Sequence, residues 1–105
     1  MKRLGFLSTI LIGFLIILSS CNKDTVSTVG LYTPSTTDVT TNATLTELQQ
    51  GRNIYISNCS ACHSLYSPDD FNSANWSSIL SVMAPRAGLS KSDQALVLKY
   101  VTRGK

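Results

Sequence analysis

Cys59-Ser60-Ala61-Cys62-His63 places two thiols and an imidazole within one short segment. Two cysteines separated by two residues form a dithiol redox pair, half of a zinc site, or a double attachment point for haem. A thioredoxin-like pair requires a strand–helix–strand context with its first cysteine at a helix start. Here the motif follows the end of a helical pattern in a chain that reads as all-α. A structural zinc site needs four ligands. The segment from Thr44 onward holds no cysteine or histidine beyond Cys59, Cys62 and His63, so a carboxylate such as Asp69 or Asp70 would have to complete it.

C-x-x-C-H as a haem attachment site accounts for more. Two thiols at this spacing can add across the two vinyl groups of one haem edge, and the adjacent histidine is then held over the iron as proximal ligand. The expectation is one covalently bound haem c, with Cys59 and Cys62 as thioethers and His63 on the metal.

The elements that must position this segment begin well into the chain. Met1-Lys2-Arg3 carries two positive charges, and Leu4 to Leu18 is an unbroken run without charge. Its length suits a signal-peptide core and falls short of the about twenty residues of a membrane span. Leu18-Ser19-Ser20-Cys21 resembles the lipobox of bacterial lipoproteins, which implies cleavage before Cys21 and lipidation of its thiol. An uncleaved helical anchor is the alternative, and either arrangement places the rest of the chain outside the cytoplasm, tethered to a membrane. Each buried methylene of an acyl chain contributes about 0.8 kcal/mol, so two or three chains hold stably where one is marginal. Loss of residues 1–20 removes Lys2 and Arg3, leaving seven basic against six acidic residues. A nearly neutral chain gives no support for nucleic-acid binding.

Residues 22–42 are rich in Thr, Ser, Asp and Asn and lack a sustained period. Residues 21–43 are expected to form a flexible tether, about twenty residues giving an r.m.s. reach of roughly 25 Å. An edge strand at 29–32 is the alternative, weakened by the proline that follows. Thr44-Leu45-Thr46-Glu47 has the form of a capping box and predicts a helix to about Ser57, with Leu48, Gly51, Ile54 and Tyr55 on one face. A second helix is expected over Ser73 to about Met83, capped by Asn72 or Ser73, with Trp76, Ile79, Leu80 and Met83 as its apolar stripe and Pro85 limiting continuation. The third starts at Ser90-Lys91-Ser92-Asp93 and ends near Gly104, burying Leu96, Val97, Tyr100 and Val101. Three short helices over about sixty residues bury too little apolar surface to be comfortable without a staple. A porphyrin would supply the missing bulk.

The segment from Gly51 to His63, glycine, three residues, Tyr55, three residues, then C-x-x-C-H, resembles the amino-terminal helix and haem site of class I c-type cytochromes. The resemblance covers about residues 44–105 and implies a small all-α, cytochrome c-like fold of three to four short helices around a covalent haem. In that family the glycine lets the first and last helices approach and the aromatic packs on the last, so Gly51 and Tyr55 would face Leu96 and Tyr100. It also implies a methionine as sixth ligand, for which Met83 is the candidate, since it alone remains after signal-peptide removal. Ordinary core packing is the other role for Met83, and water, a lysine amine or vacancy the other occupants of the sixth position. Pro68 is the candidate to accept the second ring N–H of His63 through its carbonyl, or else simply turns the chain. Trp76, Tyr66 and Arg86 are candidates to donate to haem propionates, against roles in the core for Trp76 and on the solvated surface for Arg86. The interval between the haem motif and Met83 is shorter than in the longer members, as in minimal bacterial domains, which implies a more exposed haem edge.

No paired carboxylates or activated nucleophile accompany the motif, so no catalytic residue and no enzymatic activity are expected. Histidine and thioether ligation leaves an iron that changes oxidation state without binding substrate. The function expected is a one-electron carrier, lipid-anchored in the bacterial cell envelope and facing the periplasm, that shuttles between membrane donor and acceptor proteins in a respiratory chain as a monomeric domain. A haem-based sensor with a labile sixth site, and a dedicated electron-donor subunit of an oxidoreductase complex, are the alternatives.

Overall fold

Thr44 starts the first helix by the chemistry its capping box implies. Its hydroxyl accepts from the Glu47 N–H at 3.3 Å, and the Glu47 carboxylate accepts from the Thr44 N–H at 2.9 Å. The computed structural model describes residues 27–105. The signal peptide, the lipidated Cys21 and the first part of the tether, expected over residues 1–26, lie outside the described residues. Among those described the chain is all-α: three helices, α1 (Leu45–Ile54), α2 (Ser73–Arg86) and α3 (Lys91–Thr102), with 3-10 turns at Thr36–Asp38 and Pro68–Asp70 and no strand.

α1 does not simply stop near Ser57. It widens into a π-helical turn, Tyr55–Cys59, that runs directly into the cysteine motif. Two polar side chains compete for carbonyls in this turn: the Asn58 amide donates to Ile54 O at 3.0 Å and the Ser60 hydroxyl to Ile56 O at 2.7 Å. Such side-chain bonds offer the backbone an alternative to the α-helical ladder.

α2 opens at Asn72, whose side chain accepts from the Asn75 N–H at 2.9 Å, and runs past Met83 through Pro85 to Arg86. This corrects the expected boundary. Pro85 removes a hydrogen bond only from the exposed last turn, where water can serve the orphaned carbonyl. The stop comes from Gly88 at φ +70°, with Leu89 N–H on Ala84 O at 3.0 Å and Gly88 N–H on Pro85 O at 3.1 Å, the paired bonds of a left-handed helix end.

α3 is capped by Ser90, which accepts from the Asp93 N–H at 3.1 Å. It packs mainly on α1 and secondarily on α2. At the α1 crossing, a Cβ on Gly51 would lie 2.8 Å from the Leu96 carbonyl carbon and 2.9 Å from Tyr100 Cβ, so only glycine fits. Leu48, Val97, Tyr100 and Trp76 are fully or almost fully buried there and beside it. The rings of Tyr55 and Tyr100 lie 5.9 Å apart, and Tyr55 stands edge-on to Trp76 at 6.0 Å. Lys99 on α3 reaches Glu47 on α1 at 2.6 Å. That bridge is partly solvated, so its contribution is modest.

The expectation of a tether through residue 43 needs correcting for its second half. Leu31 and Tyr32 pack against the core cluster, and Ala43 and Pro34 are buried. The Tyr32 ring stacks on Tyr100 with centroids 4.8 Å apart. Tyr32 donates its hydroxyl hydrogen to Tyr100 O at 2.7 Å, and Tyr100 returns the bond to Tyr32 O at 3.0 Å. Burial first, and then the neighbouring Tyr100, push the Tyr32 hydroxyl above its usual range. Arg52 Nε also donates to Tyr32 O at 3.1 Å. Arg103 lies 4.2 Å over the Tyr32 ring while donating to both Asp69 carboxylate oxygens at 2.8 and 3.0 Å. These contacts also account for an arginine in the left-handed conformation, φ 54°, at the end of α3.

Candidate functional site

Cys59 closes the π-helical turn and is half-buried, whereas Cys62 and His63, one turn on, are exposed. Both cysteines are free thiols. Burial, and secondarily Cys62, push the Cys59 thiol above its ordinary range. That shift runs opposite to the lowering that activates a redox thiolate.

His63 Nδ1 lies 2.6 Å from the carbonyl oxygen of Ser64. A carbonyl only accepts, so Nδ1 carries the hydrogen in this contact, and Nε2 is the ring nitrogen left without it. Pro68, the residue expected to take this hydrogen, does something else: its carbonyl accepts the Trp76 indole N–H at 2.9 Å. Trp76 is likewise not free to donate to a ligand. It is 2 % exposed, with its one donor occupied by Pro68.

Behind the motif lies a cavity of about 600 Å³. Cys59, Cys62 and His63 line it together with Tyr55 and Asn58 from the π-helical turn. Leu65, Tyr66 and Phe71 enter from the loop that follows. α2 supplies Ile79, Leu80, Met83 and Arg86. The structure therefore brings both thiols, the imidazole and the thioether of Met83 to one cavity, with Arg86 also on it. Met83 is 39 % exposed. Its place on the apolar stripe of α2 serves the cavity instead of the helix–helix core, where Trp76, Leu80 and Ala84 take the buried positions.

No family model, curated protein or solved structure matches this chain.

Sequence reasoning missed part of the lining. Leu65 and Phe71 belong to an irregular segment without a period, so nothing local marks them as wall residues. Their apolar character between the motif and Asn72 was the available signal. The loop itself is held by side chains. Tyr55 donates its hydroxyl hydrogen to Tyr66 O at 2.9 Å, and the Ser67 N–H donates to Asp70 at 2.7 Å. Phe71 sits edge-on between Tyr66 and Trp76, each centroid 5.2 Å away.

The His63 nitrogen and the Met83 sulfur are donor types of borderline and soft character, and they share mostly apolar walls with the two thiols. Beyond the motif, the titratable residues lining the cavity are Tyr55, Tyr66 and Arg86.

Proposed function

We propose that the chain binds one haem, which Cys59 and Cys62 would hold through thioethers and His63 and Met83 would ligate at the iron, and works as a membrane-tethered one-electron carrier similar to minimal class I c-type cytochromes. The observation that carries this reading is the convergence of Cys59, Cys62, His63 and Met83 on a single apolar cavity of about 600 Å³. That size lies within the range of cofactor sites, roughly 300–1,000 Å³. When bound, the haem supplies a single-electron iron couple.

The chain's own residues do the rest. The Cys59 and Cys62 thiols would hold the group covalently, as thioethers. Ser64 O fixes the ring of His63 and its tautomer, and hydrogen bonding at the second nitrogen raises the basicity of the first. Met83 would supply a soft sulfur, a ligand type that favours the reduced metal and a higher potential. Leu65, Phe71, Ile79 and Leu80 exclude water, which limits reorganisation around the redox change. Arg86 is the cation available to a propionate. The Cys21 lipid anchor would hold the domain at an envelope membrane, facing the periplasm, where donor and acceptor proteins are reached.

A haem-based sensor with an open sixth site is the second reading, and the 39 % exposure of Met83 is what favours it. The two separate in solution. A bound methionine gives strongly upfield-shifted methyl resonances in the reduced protein and resists carbon monoxide, whereas an open site binds carbon monoxide rapidly.

A further inference from the structure

Where the amino-terminal strap leaves the domain is fixed by side chains. Ser67 donates its hydroxyl hydrogen to Gly30 O at 2.8 Å, and the Tyr32 contacts with Tyr100, Arg52 and Arg103 lock the next turn of chain. The chain therefore reaches its anchor from the edge of the domain at Ser67, next to Tyr66 at the cavity. Gly30 is nine residue steps from Cys21, a covalent reach of at most about 30 Å. Had the fold begun at Thr44, twenty-three residue steps would have been available, with a reach of about 80 Å. The latch removes most of the swing.

The same edge carries exposed apolar surface. Val29 is 88 % exposed and Tyr66 50 %. Tyrosine, with an apolar ring and a polar tip, suits the boundary between headgroups and acyl chains. Neither side chain is enough to bind a membrane alone, but a short anchor makes their contact intramolecular and raises the effective concentration accordingly.

We propose that the domain rests on the phospholipid surface by its Val29–Tyr66 edge, so that the cavity, on which Tyr66 stands, opens toward a redox partner embedded in the same membrane. The inference rests on lipidation of Cys21. It replaces a shuttle between distant proteins with a carrier held in one orientation.

The test is hydrogen exchange of the full lipidated, haem-loaded protein in vesicles of phosphatidylethanolamine and phosphatidylglycerol, compared with a secreted Cys21→Ser form mixed with the same vesicles. Exchange at Val29–Leu31 and Ser64–Asp69 is expected to slow several-fold in the anchored protein, while the Ser77–Ser78 and Ser81–Val82 face of α2 is unchanged. A Gly/Ser insertion after Asp24 that doubles the leash, and Val29→Asp, should each relax that protection without disturbing the folded residues. Protein that floats with the vesicles but exchanges alike in both forms, or is protected on α2 instead, overturns the proposed orientation and leaves the anchor standing. Protein that does not float overturns the anchor and the orientation with it.

Discussion

Gly51 lies against the backbone of Leu96, with no room for a side chain between α1 and α3. A methyl group there would meet the Leu96 carbonyl carbon at 2.8 Å and Tyr100 Cβ at 2.9 Å. Gly51→Ala must push the helices apart, at a cost of about 3 kcal/mol, against a helix-propensity gain of about 1 kcal/mol. The urea midpoint should therefore fall. Gly88→Ala is the companion measurement: its site has open space but φ +70°, and a loss of about 1 kcal/mol from conformation alone is expected.

Tyr32 should behave as part of the domain and not as linker. Tyr32→Ala removes a stacked ring worth about 1 kcal/mol beyond its burial and a hydrogen bond worth about 1 kcal/mol. Urea unfolding should register a loss of at least about 2 kcal/mol from these two contributions. A variant as stable as the parent would show that the strap does not dock.

The difference between strap and helices explains what could be read from sequence. Thr44, Asn72 and Ser90 act on backbone groups three residues away, so their caps are local and legible. The Gly51 to His63 pattern is equally local. The strap is held by Tyr100 and Arg103, whose distance along the chain leaves no trace in a Thr- and Ser-rich composition. The passage of α2 through Pro85 depends on solvent at one carbonyl, and the assignment of Pro68 O to Trp76 rather than His63 depends on tertiary packing.

Glu47 supplies an acid-dependent part of stability. Its bond from Lys99, and then those from Thr44, lower its carboxyl from 4.5 to about 2. A depressed folded-state value means that the contribution is complete above about 4.5 and is lost as pH falls toward about 2. Glu47→Gln should be less stable than the parent at neutral pH. The gap between their urea midpoints should close across that acid window, and added salt should narrow it because the pair is partly exposed. A gap that is independent of pH would mean that the carboxylate charge is not what matters.

Met83 is the residue on which the carrier and sensor readings divide. In haem-loaded protein, Met83→Ala should lower the reduction potential, abolish the upfield methyl resonances and admit carbon monoxide rapidly. Equal carbon monoxide binding by parent and variant would favour the sensor.

The covalent haem itself is tested most directly by an alkaline pyridine spectrum of the protein made with and without a cytochrome c maturation system, taken after extraction with acidified organic solvent. With maturation, the haem should stay with the polypeptide and show the spectrum of a porphyrin whose two vinyl groups are both saturated, and Cys59→Ser or Cys62→Ser should each shift it toward a single thioether. A colourless protein from the matured host, folded and with both thiols still titratable, would contradict the account.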